Sequence, residues 1–214
     1  MGGFFNLIKV PDKANHYIIM NRNYRFGDSY KIVLLGDSTR LIGYGKPVEE
    51  QLVKEGHEVF QPEDNCRFSK YLLRCLFDYR EQMKGADIIQ YNAGGWDICN
   101  INDDGEPFTS IEEYKENLRK ITKSLLKITP KLIFATTVPV RKENPYNDNR
   151  VIDQYNAAAV EVLKEFNVYI NDLNGLLRDD IERFIRADDM LHLTADGIEV
   201  CSKQVIDCIH QLMK

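Results

Sequence analysis

The chain has 214 residues, 43% of them hydrophobic, and 28 basic against 33 acidic side chains give it a net charge of −5. That length suffices for one α/β domain with a full core, and interspersed charges without a basic stripe argue against nucleic acid as a partner. No apolar run approaches a membrane span, and the opening MGGFFNLIKVPDK is charged too soon for a signal peptide, so the expected location is cytoplasmic, with no membrane partner.

Five scattered cysteines (Cys66, Cys75, Cys99, Cys201, Cys208) contain no CxxC pair. They read as reduced thiols, not as a disulfide framework or a zinc site. Cys201 and Cys208, seven apart in a helical pattern, suit core packing.

Residues 1–30 have no strong period and read as an N-terminal extension packed on the domain, with HYIIM suiting a short strand. The Gly27-Asp28-Ser29 triplet follows no apolar run and reads as a loop. Next, the continuous apolar run of KIVLL (31–35) is stopped by Gly36, the pattern of a strand buried on both faces. Asp37 and Ser38 then fall at its C-terminal end, the edge at which open parallel α/β sheets bind ligands.

A helix is predicted over 47–56, with Pro47 in its first turn and Gly56 as its cap. EVFQP is a short second strand, and the spacing of Tyr71, Leu72, Cys75, Leu76, Tyr79 and Met83 predicts a helix over 68–84. ADIIQYN is a third strand that runs into Ala93-Gly94-Gly95. Ser110, with Glu113 at the capping-box position, opens a helix to about 129. KLIFATTVPV is a fourth strand, 148–166 a helix, and NVYIND a fifth strand. A broken helical stretch follows, and Thr194 caps a last helix to the end. Strand and helix alternate five times, which predicts a parallel sheet with helices on both faces, joined by right-handed crossovers, in a single domain.

A serine at a sheet edge needs a base to take its proton, usually a histidine held in one tautomer by a carboxylate. His16, His57 and His210 lie in settings that suit solvated or structural roles. His192 sits in ADDMLHLTADG, just before the last helix, within reach of the edge that carries Ser38. If 189–192 forms a helical turn, Asp189 shares a face with His192. One imidazole nitrogen then meets the carboxylate and the other faces the serine.

These two motifs, Gly36-Asp37-Ser38 and Asp189-Met190-Leu191-His192, make the chain resemble the SGNH or GDSL hydrolase family of esterases and lipases, and the order of strands and helices between them fits as well. The resemblance implies a three-layer flavodoxin-like fold with a central parallel five-stranded sheet, esterase activity on a range of acyl substrates, and no metal or cofactor. Carried over, Ser38 is the nucleophile, His192 the base and Asp189 its orienting partner.

The family's oxyanion glycine after the second strand has no counterpart in QPEDNCRFS, where a backbone N–H of Asn65, Cys66 or Arg67 takes its place; Cys66 is the expected donor, beside the Ser38 N–H. The family's Gly-x-Asn-Asp block aligns with Gly94-Gly95-Trp96-Asp97, which puts tryptophan in the asparagine position. Asn92 is the expected replacement. Arg40 resembles the arginine of a GDS-x-R stretch in sugar-ester members, so Arg40 is expected to bind substrate and Trp96 to stack on a sugar ring. Asp37 and Asp97 are expected to hold loops.

The resulting expectation is a serine esterase that removes short acyl groups, acetyl above all, from a carbohydrate or similar alcohol. A thioesterase or lysophospholipase, an acyltransferase with the same triad, and a catalytically inactive binding module are the rivals. Oligomeric state stays open, a homo-oligomer included.

Overall fold

The computed structural model describes residues 29–102 and 104–214. HYIIM and the first two residues of Gly27-Asp28-Ser29 lie outside the described residues; Ser29 is exposed, and its hydroxyl donates to the Gly56 carbonyl (2.8 Å).

Five strands, β1 (Lys31–Leu35), β2 (Glu58–Phe60), β3 (Ile88–Tyr91), β4 (Leu132–Ala135) and β5 (Tyr169–Asn171), form one parallel sheet in the order β2-β1-β3-β4-β5. Every residue of β3 and β4, and every residue of β1 after Lys31, is buried, whereas the edge strands β2 and β5 are largely half-buried. This is why the central strands are almost wholly apolar, Gln90 of β3 being the buried exception, while β2 and β5 are short and mixed. From β1 the chain turns to β2 on one side and later returns to β3 on the other. The carboxyl ends of β1 and β3 therefore open the crevice at which the strand order reverses, the usual ligand position in such sheets.

Helices cover both faces. Val33, Leu35, Ile89, Tyr91 and Phe134 pack in one core with side chains of α2 (Ser69–Asp78), α4 (Ile111–Leu125) and α5 (Asn149–Lys164). Ile32, Leu34, Ile88 and Ile133 pack in the other with α1 (Gly45–Lys54) and α8 (Ala195–Met213). The expected caps form: Ser110 Oγ accepts from the Glu113 N–H and Thr194 Oγ1 from the Gly197 N–H. The helix expected over 68–84 is instead two, α2 and α3 (Arg80–Met83), because Tyr79 leaves helical geometry at φ −101°, ψ 16°. The stretch after β5 breaks into α6 (Leu173–Leu177), a short 3-10 turn and α7 (Ile181–Phe184). Among the described residues, no helix is long and apolar enough to cross a membrane.

Candidate active site

Ser38 stands three residues past β1 and opens a π-helical segment, Thr39–Tyr44, that is broken at Gly43 (φ −109°, ψ −114°) and runs into α1. Such widened turns recur at functional sites. Ser38 is half-buried, and among the described residues neither its hydroxyl nor its backbone N–H has a hydrogen-bond partner. Asp37 is buried and holds the turn: its Oδ1 accepts from the Thr39 N–H (2.9 Å), and its carbonyl accepts from the N–H groups of Arg40 and Leu41.

Asn92 lies just past β3, against this turn. A Cβ on Gly36 would collide with Asn92 Oδ1, so glycine is needed there for close approach. Asn92 Oδ1 accepts from the Tyr44 hydroxyl (3.2 Å), which leaves its Nδ2 without an acceptor among the described residues. Tyr44 is fully buried, and burial pushes its pKa up, so it stays a neutral donor. It fixes which end of the amide faces outward, a role the sequence did not suggest.

Arg40 corrects an expectation. It is fully buried and cannot meet substrate. Its Nη1 donates to the Pro62 carbonyl (2.7 Å) and Gln61 Oε1 (3.3 Å), and its Nη2 to the carbonyls of Asp64 (2.6 Å) and Gly36 (3.2 Å). The guanidinium thus ties the loop after β2 to the turn after β1. Arg40→Met will lower stability by about 3 kcal/mol or more, because buried carbonyls lose their donors. Urea unfolding measures this; a KM increase with an unmoved unfolding midpoint would instead restore the substrate-binding reading.

The Cys66 N–H is also committed. It donates to the Gly36 carbonyl (3.0 Å) and is not free to meet an oxyanion. The Arg67 N–H donates to Asn65 Oδ1 (2.8 Å), so of the three expected donors only the Asn65 N–H lacks an acceptor among the described residues. Arg67 has φ 47°, the left-handed region that suits glycine.

Asp97 is fully buried and accepts from the Ser69 N–H (2.9 Å) and Ser69 hydroxyl (2.6 Å), anchoring the start of α2. Burial pushes its carboxyl up, against the pull of those bonds. Trp96 is 40% exposed, outside the core.

Asp189 and His192 meet, but not through a helical turn. Met190 takes φ 59°, and the pairing comes from the aspartate itself. Asp189 Oδ1 accepts from the N–H groups of Leu191 (3.0 Å) and His192 (2.9 Å), while Oδ2 lies 2.9 Å from His192 Nδ1. Burial pushes the Asp189 carboxyl up, but the backbone and ring bonds from His192, with the Leu191 bond, prevail and hold it at about 2. Arg186, unnoticed in the sequence, adds its Nε 3.6 Å from Asp189 Oδ2, and its N–H donates to the His192 carbonyl (2.8 Å). The i, i+3 spacing of Arg186 and Asp189 was the available signal.

Leu193, next to His192, packs on the Ser38 side: a Cβ on Gly43 would lie 3.2 Å from its Cδ1. Among the described residues no hydrogen bond joins Ser38 Oγ to His192 Nε2, and both atoms are unpaired. Catalytic hydrogen bonds are often open until substrate binds. His57 and His210 are engaged elsewhere: His57 Nδ1 accepts from the Tyr30 N–H, and His210 Nε2 lies 2.7 Å from Glu55 Oε2. His16 lies outside the described residues.

No family model and no curated protein matches the sequence. Solved structures do match. A lipase/acylhydrolase from Enterococcus faecalis aligns with a TM-score of 0.68 and 21% identity, over 85% of this chain and 96% of its own. An acetylxylan esterase from Geobacillus stearothermophilus, solved as a catalytic mutant, aligns with a TM-score of 0.71 and 17% identity over 87% and 96%. A hydrolase from the metagenome of Lake Arreo, Spain, gives a TM-score of 0.70 and 14% identity over 87% and 98%. At these identities the likeness is one of fold, and the chain carries the three-layer parallel α/β fold of these hydrolases.

Proposed function

We propose that the protein is a serine esterase that transfers a short acyl group, acetyl in the first instance, from a carbohydrate or similar alcohol to water. The observation that carries this reading is that, among the described residues, the Ser38 hydroxyl, the Ser38 N–H and Asn92 Nδ2 have no hydrogen-bond partner, while the Asn92 side chain packs on Gly36 of the same turn. The Asp189–His192 pair supports it from the adjoining loop. The names of the similar structures, acetylxylan esterase and lipase/acylhydrolase, also support acyl-ester chemistry.

In the proposed mechanism Ser38 Oγ attacks the ester carbonyl carbon while His192 Nε2 takes its proton. The carbonyl oxygen gains negative charge and accepts from the Ser38 N–H and Asn92 Nδ2. Collapse of the tetrahedral intermediate breaks the bond to the alcohol oxygen, which takes the proton from His192. Water then attacks the acyl-serine by the same route in reverse order, releasing the carboxylic acid. Asp189 keeps the imidazole proton on Nδ1 and stabilises the imidazolium.

Donors aimed at the developing oxyanion act mainly in the transition state. Asn92→Ala will therefore lower kcat by about 100- to 1,000-fold with little change in KM. A change of less than about fivefold in p-nitrophenyl acetate kinetics, under 1 kcal/mol by the rate relation, would remove Asn92 from the oxyanion site.

A further inference from the structure

We infer that the cleft between the loops after β3 and β4 binds the alcohol part of the substrate, and that its ligand is an uncharged sugar ring. The inference rests on the esterase reading above. The cleft has a volume of about 540 Å³, and its lining includes Asn100, Glu106, Asn144, Tyr146, Asn147 and Arg150. Small-molecule sites commonly measure about 300–1,000 Å³.

Its walls touch both halves of the candidate site. Asn147 Nδ2 donates to the Gly95 carbonyl (3.0 Å), and a Cβ on Gly95 would lie 3.1 Å from Asp37 Oδ2. On the other side, the Arg141 N–H (3.1 Å) and Asn144 Nδ2 (3.3 Å) both donate to the carbonyl of Met190, within the Asp189–His192 loop. Two walls of the cleft are therefore bonded to neighbours of the site: one to the loop after β3, which packs on the turn that carries Ser38, and the other to the loop that carries His192.

The chemistry of the cleft selects the ligand. Its cations are already answered: Arg150 pairs with Asp148 (2.6 Å), Lys142 with Glu143 (3.6 Å), and Arg141 with Glu182. Among the described residues, each cation of the cleft lies against a carboxylate, and a carboxylate ligand would also meet Glu106. Asn100 Oδ1 is enclosed and, among the described residues, has no hydrogen-bond partner. A buried acceptor of this kind needs a donor, and a hydroxyl supplies one where an acyl chain does not.

Tyr146 is 58% exposed, and the Asn100 N–H donates to the Tyr146 carbonyl (2.9 Å), which fixes the two residues together. An exposed aromatic face beside an unmet amide oxygen suits a sugar, which has an apolar C–H face and hydroxyl edges. Trp96 does not line this cleft but follows Gly95 in the chain and is partly exposed.

The test is an amide NMR titration of the intact protein with methyl β-D-xylopyranoside, methyl β-D-glucopyranoside, sodium glucuronate and sodium butyrate. The neutral glycosides are expected to shift amides of residues 98–107 and 141–150. Their binding should weaken about five- to tenfold in Tyr146→Ala and in Asn100→Ala and persist in Tyr146→Phe, which keeps the ring. Spectral dispersion reports whether each variant is folded, and the wild-type shift map stands even if one is not. No shift at the highest soluble glycoside concentration, shifts confined to other regions, or preference for glucuronate or butyrate would overturn the inference. Titration needs no turnover. Glycoside binding without Ser38-dependent hydrolysis would sink the esterase reading and leave a sugar site. Ser38-dependent hydrolysis without glycoside binding would sink only the sugar site.

Discussion

Ser38→Ala will leave a folded protein that no longer hydrolyses p-nitrophenyl acetate, with kcat/KM lower by about 10,000-fold or more. Folding is spared because the Ser38 side chain is half-exposed and makes no hydrogen bond among the described residues; substitutions of that kind stay within about 0.5 kcal/mol. Activity is lost because the nearby hydroxyls and thiols have other roles. The Ser69 hydroxyl is buried and donates to Asp97, and it also accepts from Asn117 Nδ2. The Cys66 and Cys75 side chains are buried, and the contact with the neighbouring Cys66, together with burial, pushes the Cys75 thiol up. Mass spectrometry of the wild type quenched during turnover should show one acetyl group on the peptide that carries Ser38, and none on the variant. Wild-type rates should fall from acetate to octanoate esters. Equal rates for wild type and variant would end the serine mechanism and bring the binding-module reading forward; rates rising toward octanoate would favour a thioester or lipid substrate.

The fold was legible because its signals are local and redundant. IVLL, LIFA and, apart from the buried Gln90, IIQY are apolar because both faces of each central strand are covered, and the serine and threonine caps at 110 and 194 mark real helix starts. The Asp189–His192 pair was legible from spacing, although the geometry that realises it was not. A left-handed Met190 and two backbone bonds to Asp189 Oδ1 depend on the closed loop, where Arg186 and Arg141 fix neighbouring residues.

Arg40 was misread for a related reason. An arginine two residues after a candidate nucleophile has the same appearance in sequence whether its guanidinium faces solvent or three backbone carbonyls, and only the path of the loop after β2 decides. The Cys66 N–H was lost to the Gly36 carbonyl for the same cause: backbone donors carry no sequence signature. Tyr44 escaped notice because its partner, Asn92, is distant in the chain and meets it across the crevice between β1 and β3. What the sequence missed are long-range polar contacts, which leave no periodicity to read.

Asp189→Asn separates orientation of the histidine from the rest of the chemistry. The carboxylate does two jobs at once, with Oδ1 on the Leu191 and His192 N–H groups and Oδ2 on the ring. An asparagine has one oxygen. If that oxygen stays with the two backbone donors, the NH2 group faces His192 Nδ1 and needs an acceptor there. The imidazole proton then moves to Nε2, and that nitrogen, the base of the proposed mechanism, can no longer accept a proton. The expected loss is about 10,000-fold in kcat, the scale found for the equivalent change in a serine-protease triad, with KM little changed. The nitrogen-15 chemical shifts of the His192 ring should report the exchanged tautomer directly, a signal that general loosening of the loop would not produce. Stability carries an independent signature. A carboxyl held at about 2, below its ordinary 3.8, contributes stability that is complete above the ordinary value and is lost as the pH falls toward 2. Wild type should therefore lose more stability than Asp189→Asn across that acid window. An asparagine variant within about tenfold of wild-type kcat, a difference of 1.36 kcal/mol in the barrier at most, would mean that Asp189 only shapes the loop and that His192 is held in its working tautomer by another group.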